Sequence, residues 1–487
     1  MLFNSYIFVF IFLPLAVTGY YWLHKIGKPK TALCFLLIMS MWFYGYNSVE
    51  YLFMLSASII LNYAVVQRMR KTSGLGRRRI MLMAGLAVNI GILFYFKYYD
   101  FFAENVNLAF KTDFKPLGLM LPLGISFYTF QQLSYVIDSY RNECENYSFL
   151  EYASYVSFFP QLIAGPIVYH NELIPALKDK ANHRPNYENL SRGIYAFALG
   201  LAKKALIADT FSKAVAVGYG SIGDLNTVSV ITVMICYSMQ IYFDFSGYCD
   251  MAYGIGYMFN VRLPVNFNSP YKAASISEFW DRWHMTLTRF FTKYVYIPLG
   301  GSRRGKARTY INVMIVFLVS GIWHGANWTF ILWGIINGIG NVFDKVFGKF
   351  FRWVPRTAGV ALTFCFSTMA WSLFRADSVS DALRLWRHLG ERGDNMLYAP
   401  ITDAFNDLIE VKMLCRIGFG GLVERLPYAP LLLFMTVAVL SCFLLKNTQE
   451  KTAGMRFNGR EIITVLVLVM WSILSMSDVS EFLYFNF

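Results

Sequence analysis

The fold of this chain is decided by the stretch from Tyr310 to Val342, which reads YINVMIVFLVSGIWHGANWTFILWGIINGIGNV. It contains no Asp, Glu, Lys or Arg, and its only imidazole is that of His324. One straight helix over this stretch would measure about 50 Å at about 1.5 Å per residue, whereas the hydrocarbon core of a bilayer is about 30 Å thick. The stretch therefore predicts two membrane-embedded helices with a break between Gly321 and Asn327, and it places His324 at that break.

Similar apolar stretches recur along the chain. Its 487 residues are 56% hydrophobic and 15% charged, against about 25% charged residues in an ordinary soluble protein. This composition excludes a disordered chain and argues against a nucleic-acid-binding domain, although the net charge is +14. Apolar stretches that are candidates for membrane-embedded helices cover roughly residues 5–23, 32–46, 49–66, 80–96, 117–137, 193–208, 228–246, 309–323, 327–347, 358–374, 428–445 and 461–476. We predict an all-α, polytopic integral membrane protein with eleven or twelve membrane-embedded helices in one domain, 1–487.

Two segments depart from this pattern. The apolar segment 152–168 contains three helix-disrupting residues, Pro160, Gly165 and Pro166. It is predicted to be a re-entrant segment whose freed backbone groups are buried in protein. The more polar segment 376–427 is predicted to be an insertion or peripheral segment of the same domain, and its apolar residues recur at helical spacing between Asp377 and Arg392.

Basic residues predict the orientation of the chain in the membrane. They follow the first and third predicted spans, as Lys25, Lys28, Lys30, Arg68, Arg70, Lys71, Arg77, Arg78 and Arg79, and are absent from the loop 46–50 between these clusters. Because cytoplasmic loops carry the excess of Lys and Arg, both clusters are predicted to be cytoplasmic and the N-terminus to lie outside. No charged segment precedes the first apolar run, so no cleavable signal peptide is expected. The segment 97–116 carries charges of both signs and is predicted to be an outside loop.

The segment 262–308 is strongly basic and also aromatic. Within it, Ser277 is predicted to cap a helix on which Phe279, Trp280 and Trp283 share one apolar side. We expect this helix to lie in the cytoplasmic interface with its tryptophans at the headgroup level. Positive-inside bias accounts for most of the charge. A second interpretation is that its arginines contact the phosphates of an anionic donor; the candidates are Arg282, Arg303 and Arg304.

Two polar groups stand out inside predicted spans. Ionisable residues in a membrane are costly and usually face a cavity or a partner, and a histidine titrates near neutrality. His324 is therefore predicted to be a general base, against the alternative of a neutral histidine bound to a backbone carbonyl. Gln240 and Asp244 lie four residues apart on one helix face near a predicted span end. Either they form the polar wall of a cavity, or the helix end enters water and Asp244 caps it or pairs with a basic residue.

The other histidines and the cysteines give weaker signals. His24, His170, His183 and His388 are predicted to be solvated. The seven cysteines are scattered singly, without the spacing of a disulfide framework or a zinc site. No metal and no bound cofactor are expected.

Several longer motifs resemble a known family. They are FFPQLIAGPIV from Phe158, YFDFSGYCD from Tyr242, FWDRWHMTLTRF from Phe279, YIPLGGSRRG from Tyr296, GIWHGANWTF from Gly321 and FLYFNF from Phe482. They occur in the same order over essentially the whole chain. The chain is identified as a member of the membrane-bound O-acyltransferase superfamily, in the branch of the alginate O-acetyltransferase membrane subunit. The segment 376–427 matches none of these motifs.

The resemblance implies the following fold and function. His324 matches the catalytic histidine of the family and His284 the second histidine of this branch. A ring of helices around a central tunnel would link a cytoplasmic donor, expected to be acetyl-CoA, to an extracellular polysaccharide such as alginate. An extracytoplasmic serine-hydrolase-like acetyltransferase is the expected partner, and the bacterial plasma membrane the expected location. D-alanyl or other acyl transfer to a cell-wall polymer is an alternative within the same class. A transporter or flippase, or a non-catalytic export channel, is the alternative from another class.

Overall fold

The computed structural model describes residues 1–348, 350–391, 396–456, 458–476 and 482–483. In this part of the chain every regular element is a helix, so the all-α prediction is confirmed. The first α-helices are α1 Leu13–Lys25, α2 Pro29–Gly45, α3 Val49–Lys71, α4 Leu75–Leu93, α5 Tyr99–Phe110, α6 Ile125–Tyr140, α7 Phe149–Ser157, α8 Phe159–Leu162, α9 His170–Lys178, α10 Tyr187–Ala202, α11 Asp209–Gly220 and α12 Thr227–Met258.

The second half of the chain is built in the same way. Its α-helices are α13 Ile276–Arg282, α14 Met285–Phe291, α15 Lys306–His324, α16 Trp328–Phe347, α17 Arg356–Arg375, α18 Val379–His388, α19 Ala399–Asn406, α20 Ile409–Leu414, α21 Gly420–Arg425, α22 Ala429–Leu444, α23 Thr448–Ala453 and α24 Gly459–Ser475. π-helical turns cover Phe8–Phe12, Phe94–Tyr98, Lys203–Ala208, Thr292–Tyr296 and Cys415–Phe419. Short 3-10 turns cover Lys180–His183, Ile222–Asp224, Pro270–Lys272 and Phe350–Trp353.

Several of these helices are suited to cross a membrane. Among the described residues, five are long and apolar enough: Val49–Lys71, Leu75–Phe110, Thr227–Met258, Trp328–Phe347 and Arg356–Arg375. A sixth span would be the pair Ile409–Arg425 and Ala429–Leu444, which is bent by 97°. Other predicted spans fall on helices of 16 or 17 residues, as in α2, α6, α22 and α24. A multi-pass membrane protein is confirmed, with fewer full-length spans than the eleven or twelve predicted embedded helices.

The structure corrects the prediction for residues 97–137. The predicted outside loop is mostly helix, because α4, the π-turn Phe94–Tyr98 and α5 form one continuous helix up to Phe110. The predicted span 117–137 instead begins as an extended segment, and its helix, α6, starts only at Ile125. Prolines and glycines explain the delay, since Pro116, Gly118, Pro122 and Gly124 all precede the helix.

The basic segment 262–308 is also corrected. Helix α13 is capped by Ser275, whose side chain accepts a hydrogen bond from the Glu278 N–H, and not by Ser277. Trp280 and Trp283 are 7% and 1% exposed, so they pack inside the protein and do not lie at the headgroup level. Trp283 stacks on Phe279 with ring centroids 5.5 Å apart. The sequence pattern located an apolar face correctly, but that face packs on other helices.

The structure shows the burial predicted for one unusual segment and the helix predicted within the other. Residues 152–170 are buried throughout, and the segment breaks between α7 and α8 and again after Leu162, as a re-entrant segment enclosed in protein would. The predicted helix between Asp377 and Arg392 is present as α18, Val379–His388, although Arg392 itself lies outside the described residues. Of the terminal motif FLYFNF, only Phe482 and Leu483 are described.

Contacts between loops define one end of the molecule, here called the basic end. The Arg70 guanidinium donates to the carbonyls of Cys144 and Glu145, and that of Arg289 pairs with Glu172. The Lys293 ammonium, in the turn after α14, lies 3.5 Å from the Glu143 carboxylate and links the two pairs. Of the two predicted cytoplasmic clusters, the second lies at this end, since Arg78 donates to the Tyr140 carbonyl at 2.8 Å.

Helices α10 and α12 pack closely through glycine residues. A Cβ on Gly193 would lie 2.6 Å from the Gly254 carbonyl oxygen, and a Cβ on Gly200 would lie 2.6 Å from the Gly247 carbonyl oxygen. Small residues are what permits helix backbones to approach this closely in a membrane. The contact fixes α12, which carries Gln240, against α10.

We expect Gly200→Val to lower the free energy of unfolding by on the order of 3 kcal/mol, because the side chain must push two backbones apart. The measurement is the thermal unfolding midpoint of the purified protein in detergent micelles. Gly91→Val is the matched control: Gly91 is also inside a helix, but no atom lies within 4 Å of its added Cβ. Equal midpoints for the two variants would contradict this account of the interface.

Candidate functional site

His324 lies at the break that the sequence predicts. It is the last residue of α15, and Asn327 begins α16 by accepting a hydrogen bond from the Thr329 N–H. The imidazole is 4% exposed and packs edge-on against Trp333 and Phe374, each with ring centroids 5.0 Å away. The break thus holds an ionisable ring in an aromatic cage at the junction of two helices.

The C-terminal carbonyls of α15 are held by an adjacent helix. The Lys97 ammonium donates to the carbonyl oxygen of Trp323 at 2.7 Å and to that of His324 at 3.0 Å. The Tyr98 hydroxyl donates to the Ile322 carbonyl at 3.0 Å. The last carbonyls of a helix have no partner within the helix, and a cation there also favours the helix dipole. The helix that ends at His324 is therefore capped by side chains from a distant part of the sequence.

Two cavities meet at Lys97. The larger, here called the vestibule, has a volume of about 800 Å³ and contains Gln240, Asn327 and Arg375 in its lining. The smaller, here called the cleft, has a volume of about 20 Å³ and is lined by Ser126, Trp323 and His324 among others. Lys97 and Leu121 line both. His324 thus lies in a narrow cleft next to a wide polar vestibule, and a continuous tunnel from there to the basic end remains a prediction.

His284 occupies a tight turn between α13 and α14. Its backbone has φ 47°, in the left-handed region, and its side chain is 1% exposed. The ring nitrogen Nδ1 lies 3.1 Å from the Asn266 side-chain oxygen, which also accepts from the Thr286 hydroxyl at 2.9 Å. Burial lowers the pKa of His284 to about 3, so its imidazole is neutral at physiological pH.

The two histidines predicted to act together are brought near each other. The Trp323 ring centroid lies 4.8 Å from that of His324 and 6.2 Å from that of His284. Phe127 contacts the same tryptophan at 5.5 Å. The two imidazoles are close enough to interact electrostatically. A buried aromatic cluster with two imidazoles is therefore the centre of the candidate site.

Gln240 and Asp244 have different surroundings. Gln240 lines the vestibule, a position consistent with the cavity-wall interpretation, and its role stays a prediction. Asp244 is not at a helix end, since α12 continues to Met258. The expectation of a helix end near this residue is therefore wrong. The glycines that follow it pack on α10 and do not end the helix. The Asp244 carboxylate pairs with Lys204 at 2.6 Å, so of the alternatives it is pairing with a basic residue that occurs.

The three arginine candidates lie away from the described cavities around His324. The Arg282 guanidinium pairs with Glu278 one turn earlier in α13, at 2.9 Å. Arg303 and Arg304 are exposed in the turn before α15. In the described part of the chain, none of the three lines the vestibule or the cleft, and a role in binding a donor stays a prediction for them.

The sequence analysis missed Lys97 and Asn266 as site residues. The sequence held a signal for Lys97, because this residue directly follows the predicted span 80–96, but the acidic residues after it suggested a loop. Asn266 carried no signal of this kind, since its contact with His284 depends on how the segment before α13 folds back. Both contacts join residues that are distant in sequence or separated by a turn.

A third buried histidine corrects another expectation. His170 was predicted to be solvated, but it is 0% exposed. Its Nε2 lies 3.2 Å from the Asp138 carboxylate, and its Nδ1 lies 3.1 Å from the Tyr147 hydroxyl. The difference arises because α6 carries Asp138 to the basic end, where the chain leaving the re-entrant segment covers it. His24, His183 and His388 are partly buried.

This pair predicts a pH-dependent stability. Burial disfavours the charged imidazole most strongly, but the hydrogen bonds and charges of Asp138 and Cys144 together outweigh it and raise the pKa of His170 to about 9. With an ordinary pKa of about 6.5 in the unfolded chain, the stabilisation is complete below about pH 6.5 and is lost as the pH rises through 9. We expect the free energy of unfolding of the wild type to fall by about 3 kcal/mol over this pH range. This pH-dependent loss should be absent in His170→Gln. Unfolding midpoints in detergent at pH 6 and pH 9 would measure it, with His388→Gln as the control; equal slopes in wild type and His170→Gln would refute it.

Fold and site together define a class of protein, an all-helical multi-pass membrane protein with a buried histidine site beside a polar vestibule. A sequence model of the membrane-bound O-acyltransferase family matches residues 30–378. The chain belongs to the membrane-bound O-acyltransferase family.

Curated relatives cover most of the chain. A peptidoglycan O-acetyltransferase of Helicobacter pylori is 38% identical over 521 aligned positions, covering 100% of this chain and 98% of the relative. The protein named "Probable alginate O-acetylase AlgI" of Pseudomonas aeruginosa is 35% identical, covering 79% and 74%. A teichoic acid D-alanyltransferase of Streptococcus thermophilus is 30% identical, covering 46% and 56%. The chain is an acyltransferase enzyme, and the names of these relatives share acyl transfer to a polymer.

Proposed function

We propose that this chain moves acetyl groups from a cytoplasmic donor, acetyl-CoA, across the bacterial plasma membrane for O-acetylation of an extracellular polysaccharide. The observation that carries the proposal is the position of His324, caged by aromatic rings in a cleft that adjoins the polar vestibule. Two relatives named as O-acetyltransferases of polymers support acetyl over D-alanyl as the group transferred. The N-terminus would lie outside and the basic end would face the donor.

In the proposed reaction, His324 acts as the general base. Its neutral imidazole accepts the proton of an acceptor hydroxyl while that oxygen bonds to the thioester carbonyl carbon. The carbon–sulfur bond then breaks, and the proton passes from the imidazolium to the departing thiolate. The products are an acetyl ester and free coenzyme A. This direct transfer does not require a covalent acetyl-histidine intermediate, which would be an alternative route.

His284 is assigned a positioning role in this reaction. Its neutral ring is fixed by Asn266, and it contacts the Trp323 ring that also packs on His324. It would orient the donor or the acceptor on the side of the site away from the vestibule. Gln240 and Asn327, both in the vestibule lining, offer amide groups to an acceptor that is too polar to enter hydrocarbon.

The acceptor is proposed to be a hydroxyl presented at the outer face. A charged polymer cannot enter the hydrocarbon region without a large cost, so the acetyl group must reach it at the membrane surface. The serine hydroxyl of an extracytoplasmic hydrolase-like acetyltransferase would accept the group in the vestibule and pass it to the polysaccharide. A volume of about 800 Å³ admits a side chain or a few sugar atoms.

A double-label experiment tests the proposal against its alternatives. The chain in sealed proteoliposomes is given acetyl-CoA with ¹⁴C in the acetyl group and ³H in the coenzyme A, with polysaccharide fragments and a candidate outer-face partner in the lumen. We expect ¹⁴C, and no ³H, to reach the lumen and become covalently attached. Transport of both labels would indicate a transporter, and transfer from a D-alanyl carrier thioester but not from acetyl-CoA would indicate the other acyl group. If neither label enters the lumen although partner and polymer are present, acetyl transfer is refuted.

A further inference from the structure

Lys97 takes part in a complete set of hydrogen bonds at the C-terminal end of α15. The four last carbonyls of the helix, those of residues 321–324, all have hydrogen-bond donors. Gly321 accepts from the Gly325 N–H at 3.4 Å, and Ile322 accepts from Tyr98. The carbonyls of Trp323 and His324 share the Lys97 ammonium. The break after His324 therefore leaves no carbonyl of this turn without a donor.

The charge on Lys97 is unusual for its surroundings. In the described part of the chain Lys97 forms no ion pair with a carboxylate. Asp100, one turn further along the same helix, instead accepts hydrogen bonds from the N–H groups of Leu117 and Gly118. An ammonium partly shielded from water without an opposite charge is costly. Lys97 is partly buried, and in the described part of the chain two backbone carbonyls and the Ser126 hydroxyl at 3.4 Å are its polar contacts.

We infer that Lys97 is a positioning residue for His324: its ammonium holds the carbonyls of Trp323 and His324 and so fixes the imidazole at the junction of the vestibule and the cleft. The inference rests on the proposed function of His324. Lys97 binds the backbone of the very residue whose ring must face the reacting hydroxyl, and it lines both cavities. Tyr98 holds the same helix end one residue earlier, so it serves as a comparison for ordinary helix capping.

The activity test separates positioning from binding. Lys97→Met keeps the length of the side chain and removes the charge and the donors. We expect kcat for acetyl transfer to fall about 100-fold, as for a reactive group displaced by about 1 Å, with the donor KM within about twofold. Lys97→Arg is expected to recover at least about tenfold of this loss, because it keeps a cation with several donors. Lys115→Met, at an exposed lysine of the segment before α6, is the control and should retain the wild-type kcat.

Chemical rescue gives a second measurement. Lys97→Cys treated with 2-bromoethylamine forms a thioether that carries an amine at nearly the lysine length, with bromide as the leaving group. We expect the treatment to restore kcat in this variant and to leave the treated wild type unchanged. Tyr98→Phe should lower kcat much less than Lys97→Met. Equal losses in these two variants, or no rescue by the amine, would overturn the assignment.

A readout independent of activity keeps the inference testable if the acetyl-transfer proposal fails. Hydrogen–deuterium exchange of the peptide covering residues 318–330 should be faster in Lys97→Met than in wild type, and α16 beyond it should be unchanged. If Lys97→Met does not fold, Lys97→Gln is used in its place, because it keeps an amide donor but no charge. Faster exchange at residues 318–330 is expected for it as well. Unchanged exchange at 318–330 in a folded variant would overturn the positioning role, whereas inactive wild type with faster exchange in the variant would refute only the proposed function.

Discussion

Replacement of His324 by alanine is expected to lower kcat for acetyl transfer by about 10³-fold, within the range by which positioned general bases accelerate reactions. The reason is chemical: the imidazole is the group in the cleft that can take the proton of an acceptor hydroxyl. The donor KM should change little, because the ring is enclosed by Trp333 and Phe374 and not by a large binding surface. Steady-state transfer from labelled acetyl-CoA in lipid nanodiscs, with the partner present, is the measurement.

His324→Gln provides the matched variant, because it keeps a polar side chain of similar size without a titrating group. It should be as inactive as the alanine variant, and both should show wild-type unfolding midpoints to within a few degrees. His388→Ala, in α18 and outside the lining of the vestibule and the cleft, should retain full activity. Transfer at the wild-type rate by His324→Ala would show that the histidine is structural and would leave the proposed mechanism without a base.

The largest expected effect on stability is that of Lys204→Met. The Lys204 ammonium lies 2.6 Å from the Asp244 carboxylate and 2.8 Å from that of Asp209. The side chains of Lys204 and Asp244 are 4% and 2% exposed. Removal of one partner leaves buried carboxylates without the cation, a change that costs ~3–5 kcal/mol in other proteins. We expect a loss of that size in the free energy of unfolding, measured by denaturant titration in detergent micelles.

A double variant isolates the charge as the cause. Lys204→Met combined with Asp244→Asn should be more stable than Lys204→Met alone, because one uncompensated charge is removed with its partner. Lys30→Met, at an exposed position at the start of α2, should change stability by less than about 0.5 kcal/mol. If the double variant were the less stable of the two, the buried ion pair would not account for the loss.

The sequence predicts those features of the site that depend on residues close together in the chain, and it misses those that depend on contacts between distant segments. The break at His324 follows from an apolar stretch too long for one helix, and the structure confirms it to within a few residues. The prediction of a loop over 97–116 failed because charges of both signs are typical of loops, whereas here Asp100 and Lys97 have partners on other segments. Such partners are visible only after the helices pack.

The same reasoning explains the errors at His170 and at the tryptophans of α13. A polar residue beside an apolar stretch is usually solvated, and a tryptophan beside basic residues usually lies at a membrane interface. In both cases a neighbouring element covers the side chain, as α6 does with Asp138. An amphipathic pattern shows that a face is apolar, but it does not show whether lipid or protein covers that face.

The left-handed backbone at His284 limits which side chains this turn accepts. At φ 47° a residue with a Cβ is strained by about 1–2 kcal/mol, and asparagine and aspartate tolerate the conformation better than alanine does. Alanine at this position would thus remove the imidazole and disturb the turn together, whereas His284→Asn changes the ring with little change in backbone preference. Natural variation at this turn should accordingly favour histidine, asparagine, aspartate and glycine, a set defined by backbone geometry before any chemistry is considered.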